Sequence, residues 1–159
     1  MAAPSKTLVI RFSSIGDIVL ASPLLRALRK AFPDGQIDFL TKKEFGEIVQ
    51  SNQNINYTYQ FDPREGFEGL HKMRKRIKQE KYDLIVDIHG SLRSRYIRSI
   101  RSVPKVVKLN KRVRERTTLV RTKKNIYRDD VPVADRYLET VRDLGVIDDG
   151  KGLELFITD

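Results

Sequence analysis

The sequence predicts an α/β domain built on a doubly wound, parallel sheet. Three observations carry this. Short β-branched, apolar runs alternate with helix-length segments along the chain. The run Tyr82-Asp83-Leu84-Ile85-Val86-Asp87-Ile88 is mostly apolar, as in a strand covered on both faces. The 159 residues, 40% hydrophobic and 33% charged, suit one compact domain with a real core.

In chain order, Thr7 to Phe12 reads as the first strand and Ser13 to Gly16 as a turn. A helix follows with Ile18, Ala21, Leu25, Leu28 and Phe32 at three- and four-residue spacing. Pro23 either kinks it or restarts it, with Ser22 as cap and Pro23 at the first helical position. Pro33-Asp34-Gly35 ends that element. Gln36–Leu40 reads as a strand, Lys43–Gln50 as a short helix and Ile55–Phe61 as a third strand. Gly66–Glu80 is a basic helix, and Tyr82–Ile88 the fourth strand. Ser91–Arg101 reads as a helix capped by Ser91, Lys105–Leu109 as the fifth strand and Lys111–Lys124 as a very basic helix. Val133–Leu144 is a helix closed by Gly145, and residues 150–159 read as the start of a linker.

Right-handed crossovers and the common strand order 3-2-1-4-5 make strands one and four neighbours where the winding reverses. Ligands bind outside the carboxyl ends of the strands at that crevice. Two segments fall there: Ser13-Ser14-Ile15-Gly16-Asp17 and Asp87-Ile88-His89-Gly90-Ser91. In the first, Gly16 permits a tight turn and close approach of a ligand. Asp17 lies in the first helical turn, where the helix dipole favours its ionised form. Such a carboxylate can accept a substrate proton. Ser14-x-x-Asp17 is equally a capping box that needs no substrate, so local pattern leaves both roles open. The loop has neither a Walker A motif nor a Gly-x-Gly-x-x-Gly fingerprint.

In the second segment Gly90 turns the chain and Ser91 opens a helix whose amino end attracts anions. Arg93, Arg95 and Arg98 could add bidentate contacts to phosphate or carboxylate. His89 sits beside them, either as a site residue or as a packed histidine at a strand end.

Formal net charge is +10, and its distribution is uneven. Ser91 to Arg128 holds 14 Lys and Arg against the single acid Glu115, a net of +13. Such a block attracts phosphates, carboxylates, anionic membrane or nucleic acid. Within Lys105 to Arg128 the only aromatic residue is Tyr127, so base stacking is poorly served and nucleic acid is a weak fit. A stand-alone basic nucleic-acid- or anion-binding module is the alternative reading. There is no cysteine, hence no disulfide framework, thiolate nucleophile or cysteine-built zinc site. The two histidines, His71 and His89, have no partner at metal-ligand spacing, so no metal site is expected. No apolar run reaches membrane-helix length and the first residues do not form a signal-peptide core, which points to the cytoplasm.

Taken together, Leu8-Val9-Ile10-Arg11-Phe12-Ser13-Ser14-Ile15-Gly16-Asp17-Ile18-Val19-Leu20 and Pro23-Leu24-Leu25-Arg26-Ala27-Leu28 resemble the start of glycosyltransferase family 9, the lipopolysaccharide heptosyltransferases and their relatives. Pro33–Leu40, Tyr82–Ser94 and Arg136-Tyr137-Leu138-Glu139 fit the same family in order and spacing. The resemblance implies the N-terminal, acceptor-binding, Rossmann-like half of a GT-B fold. It implies inverting transfer of heptose from ADP-heptose to the lipopolysaccharide inner core, with no essential metal. Asp17 would then be the general base as well as a cap. Ser13, Ser14, Gly16, His89, Ser91, Arg93, Arg95 and Arg98 would line the acceptor side. Residues 1–149 would form this domain. The family's Asp-Ser/Thr-Gly-Pro-x-His donor signature is absent, so the nucleotide-sugar donor is expected on a C-terminal domain outside the chain. The chain alone is expected to be inactive. The expected partner is an anionic lipopolysaccharide-core acceptor, with peripheral contact at the inner membrane.

Overall fold

The computed structural model describes residues 3–111, 120–123 and 131–156. Five strands, β1 (Lys6–Ile10), β2 (Gln36–Lys42), β3 (Tyr57–Phe61), β4 (Leu84–Asp87) and β5 (Lys105–Lys108), form one sheet in the order β3-β2-β1-β4-β5. Every pairing is parallel. Thr7 pairs Ile37 on one side and Leu84 on the other, which fixes the register at the centre.

Alternation along the strands divides the core in two. Val9, Ile37, Phe39, Leu84 and Val86 turn to one face, against α2 (Ser22–Ala31), α3 (Gly46–Gln50) and α6 (Val133–Glu139). Leu8, Ile10, Leu40 and Ile85 turn to the other, against α4 (Gly66–Gln79) and α5 (Leu92–Arg98). Strands covered on both faces carry apolar residues at nearly every position, and all four residues of β4 are buried.

Several expected boundaries move. The first strand is Lys6–Ile10, and beyond it the Arg11 amide still donates to the Leu40 carbonyl at 3.0 Å and the Phe12 carbonyl still accepts the Lys42 amide at 3.2 Å. The helix after it is two helices. A short α1 (Ile15–Val19) precedes α2, whose cap is Ala21; Ser22 and Pro23 are its first two residues. Ser22 is not the cap because its hydroxyl instead accepts the Glu154 amide at 2.8 Å. Pro23 fits where a backbone N–H has no helical partner. The expected Val133–Leu144 helix is α6 followed by a 3₁₀ turn at Arg142–Leu144, closed by Gly145 in the left-handed region. Most of the predicted Lys111–Lys124 helix lies outside the described residues.

The chain after α6 returns to α2. The Arg26 side chain, almost fully buried, holds Asp149 through Nε (3.0 Å to Oδ1) and Nη2 (2.7 Å), Glu154 through Nη1 (2.9 Å) and the Gly152 carbonyl (3.0 Å). Lys30 adds a second cation to Asp149. Gly152 and Glu154, in the segment expected to begin a linker, thus contact α2.

At the amino end of the sheet, buried Asp38 accepts from the Tyr82 hydroxyl and from Gln36 Nε2. Burial pushes its carboxyl above the ordinary value, against these hydrogen bonds. Tyr82→Phe deletes one donor to a buried acid. It is expected to reduce stability by about 1–3 kcal/mol in urea unfolding at neutral pH. The loss should shrink on acidification, because a carboxyl raised by burial is relieved by protonation.

Candidate functional site

The reversal of winding falls between β1 and β4, and the two predicted segments meet at its carboxyl rim. Arg11, one residue beyond β1, joins them. Its Nη1 donates to the Ile88 carbonyl at 2.8 Å, and its Nη2 lies 2.5 Å from Asp17 Oδ2. Its guanidinium also stacks over the Tyr137 ring, 5.7 Å from the centroid.

Asp17 sits in the first turn of α1. Its Oδ2 accepts the Ser14 amide at 3.0 Å and the Ser14 hydroxyl at 2.9 Å, so Ser14 and Asp17 form the expected capping box. Burial works to raise the Asp17 carboxyl, but the Ser14 donors and Arg11 together hold it below the ordinary value. It is therefore ionised at neutral pH. Among the described residues its Oδ1 meets only the Tyr137 hydroxyl, at a long 3.5 Å. Burial pushes that phenol up to about 12, so it stays protonated and points a hydrogen at the carboxylate. Oδ1 is thus the oxygen with capacity for another donor.

Ser13 is half-buried beside this turn, and Ser14 and Gly16 face solvent. Gly16 does not make the turn. It lies within α1 without a positive φ, and a Cβ there would meet nothing within 4 Å. The Ser13–Asp17 loop needs no glycine for its backbone; what Gly16 leaves is open space beside Asp17.

Gly90 does turn the chain, at φ 63°. A Cβ there would lie 2.8 Å from Lys111 Cε, so Lys111 lies over the Gly90 turn. Asp87, fully buried at the end of β4, organises this loop by accepting the His89 amide at 3.0 Å and the Gly90 amide at 2.8 Å. Arg98 Nε lies 3.0 Å from the other oxygen of Asp87. Arg98, expected to reach an anionic ligand, is instead drawn inward to neutralise a buried acid, where an unpaired charge would be costly. Arg93 and Arg95 stay exposed on α5. Ser91 caps α5, accepting the Ser94 amide at 3.1 Å and donating its own amide to Ser94 Oγ at 2.8 Å. The helix-end donors expected to meet an anion are in part satisfied internally.

His89 packs edge-on against Phe12, ring centroids 5.4 Å apart, and its buried Nδ1 has no hydrogen-bond partner among the described residues. Burial, with Arg11 and Lys111 nearby, lowers its pKa from 6.5 to about 4. A neutral imidazole there is chiefly a packing group of the rim. Arg11 and Tyr137 escaped the sequence reading as site residues. The stretch Arg136-Tyr137 signalled family likeness, but nothing local placed it 120 positions away against Asp17.

No family model matches the chain. In sequence it is 31% identical over 78 residues to lipopolysaccharide heptosyltransferase 3 of Escherichia coli, a match that covers 46% of this chain and 23% of the relative. Over part of its length the chain is similar in sequence to curated lipopolysaccharide heptosyltransferases. The fold agrees. A glycosyltransferase of family 9 from Veillonella parvula superimposes with a TM-score of 0.77 at 22% identity, covering 98% of this chain and 46% of that one. The E. coli heptosyltransferase WaaC with ADP gives 0.69 at 18% identity, covering 94% of this chain and 50% of that one. The chain therefore spans about a quarter of that curated relative and about half of these solved structures.

The depressed His89 pKa has a consequence for stability. Between pH 6.5 and about 4 the unfolded chain binds a proton that the folded imidazole refuses. Stability should therefore fall as pH drops through that window, by on the order of 1–2 kcal/mol after allowance for solvent screening. In urea unfolding at a series of pH values, His89→Gln should lack this component of the slope.

Proposed function

We propose that the chain is the acceptor-binding part of an inverting, heptosyltransferase-like glycosyltransferase. The observation that carries this is the ionised Asp17 carboxylate at the β1/β4 rim, with Oδ2 filled by Ser14 and Arg11 and Oδ1 left to receive a hydroxyl. In this reading Oδ1 accepts the proton of an acceptor hydroxyl. The hydroxyl oxygen forms a bond to the anomeric carbon of the donor sugar, from the face opposite the leaving group. The bond from that carbon to the diphosphate breaks, the electron pair leaves with the nucleoside diphosphate, and the configuration inverts. The proton transfer proceeds as the new bond forms and acidifies the hydroxyl, so a carboxylate of low basicity is adequate.

The donor is proposed to be ADP-heptose, held by a second Rossmann-like domain that this chain does not span. The acceptor is proposed to be the lipopolysaccharide inner core, whose carboxylates and phosphates suit the exposed Arg93 and Arg95 and the Lys111 side chain over Gly90. His89, Ser91, Ser13, Ser14 and Gly16 shape the surface between these cations and Asp17. Without the second domain, donor and acceptor are not held together, so the isolated chain is expected to turn over no nucleotide sugar.

The decisive test joins the chain to a complementary donor domain. Asp17→Asn keeps an oxygen for the Ser14 amide but cannot take a proton. Turnover is expected to fall by roughly 10²–10⁴-fold with the fold and donor binding retained. Near-normal turnover would remove Asp17 from the role of base. Separately, Arg93→Ala with Arg95→Ala should weaken binding of a lipopolysaccharide-core acceptor to the isolated chain and flatten its salt dependence, as read by calorimetry at two ionic strengths.

A further inference from the structure

The sheet ends on two edges, β3 and β5. An edge strand presents unpaired N–H and C=O groups to any chain that can reach them, and lysines along the edge discourage such pairing. β5 has that protection, since its residues are Lys-Val-Val-Lys. β3 lacks it. Its sequence is Tyr-Thr-Tyr-Gln-Phe, and residues 48–61 hold no charged side chain in a chain that is 33% charged. Tyr, Thr and Phe favour strands, and no proline interrupts the run.

The register shows which backbone groups are open. The Leu40 carbonyl accepts the Arg11 amide, so the backbone of Leu40 faces β1. Tyr59 lies opposite Leu40. Tyr59 is then the residue that bonds to β2, and Thr58 and Gln60 turn their N–H and C=O groups outward. Neither flanking helix closes this edge. A groove of about 350 Å³ runs along it, bounded by Gln50 at the end of α3 and by Arg76 of α4. The Arg76 guanidinium is stacked on Tyr57 and Tyr59, 5.4 and 5.0 Å from the ring centroids, and donates to the Tyr57 hydroxyl at 2.7 Å.

We propose that β3 pairs, antiparallel, with β3 of a second copy of this chain across a two-fold axis at Tyr59. The order of residue kinds argues for a copy rather than an unrelated strand. Aromatic residues stand at 57, 59 and 61, and uncharged polar residues at 58 and 60. The pattern reads the same in both directions about Tyr59. Two-fold pairing therefore sets Tyr57 opposite Phe61, Tyr59 opposite Tyr59 and Thr58 opposite Gln60, so aromatic meets aromatic on one face and polar meets polar on the other. Thr58 of each copy exchanges backbone hydrogen bonds with Gln60 of the other, and these are the groups left open. Charge favours the same choice. Two chains of net charge +10 repel each other, and residues 48–61 bring no like charges together. β3 is two strands from β1, so the rim between β1 and β4 stays open. The pairing does not depend on the acceptor-binding reading.

The test is sedimentation equilibrium of the 159-residue chain over a range of concentrations, with amide hydrogen exchange at both ends of the range. The mass should rise from 18.4 kDa toward twice that value, and the Thr58 and Gln60 amides should exchange more slowly in the associated sample. Tyr57→Lys puts a cation on the edge and should weaken association at least about tenfold. Tyr57 is 43% exposed, so the fold should tolerate the change. Gln60→Pro removes an outward donor and no bond to β2, and should weaken association similarly. Circular dichroism and urea unfolding check the fold of each variant. Val106→Lys, at an exposed site on β5, should leave association unchanged. A chain that stays monomeric at every concentration overturns the proposal; protection of its Thr58 and Gln60 amides by an added strand-forming peptide would then assign the edge to a different partner. Association that survives Tyr57→Lys in a folded protein also overturns it. So does association without added protection at Thr58 and Gln60, because another surface is then responsible.

Discussion

The guanidinium of Arg11 is the constraint on which the rim depends. In a parallel sheet whose winding reverses, the helices after β1 and β4 leave toward opposite faces, and no crossover covers the crevice between them. Two loops with few shared backbone hydrogen bonds must then be held by side chains. Arg11 does this from the end of β1, reaching the Ile88 carbonyl on one side and the Asp17 carboxylate on the other. Tyr137, brought in by α6, lies against its flat face. A planar, multiply donating cation suits this three-way junction better than a point charge would.

The same economy explains the electric character of the rim. Several of its carboxylates are committed: Asp17 to Arg11 and Ser14, Asp87 to Arg98 and two backbone amides, Asp62 to Arg64. Each such pair is locally neutral and contributes little at a distance. Among the described residues, Arg93 and Arg95 at the start of α5 have no ion-pair partner, and Lys111 lies across the Gly90 turn. Around the start of α5 the outward field is therefore set by cations, although the rim contains several acids. Net charge alone would not reveal this, since it depends on which acids have partners.

What was legible in the sequence follows from the range of each interaction. The strand–helix alternation is local, and chirality then dictates the 3-2-1-4-5 order, so the meeting of Ser13–Asp17 with Asp87–Ser91 could be read directly. The capping box at Ser14 and Asp17 and the turn at Gly90 are likewise short-range. Partners chosen by packing were not legible. Arg98 reads as a ligand-facing cation on its helix, yet buried Asp87 claims it. Ser22 reads as a cap, yet Glu154, 132 positions later, takes its hydroxyl. Gly16 reads as a turn-maker by residue type, whereas the turn is completed before α1 begins, and Gly16 is its second residue.

The sequence posed cap and base as competing roles for Asp17, and the geometry removes the competition. A carboxylate has two oxygens with separate lone pairs. The cap uses Oδ2, which also carries the Arg11 ion pair. The proposed chemistry uses Oδ1, held among the described residues only by a long contact with Tyr137. Filling one oxygen fixes the carboxylate plane and keeps the group ionised, so the other needs no rearrangement to receive a hydroxyl. The structural role is then a condition of the chemical one. A loop that lost its cap would lose the orientation of Oδ1 with it, whereas an asparagine can preserve the loop and remove only the proton acceptor.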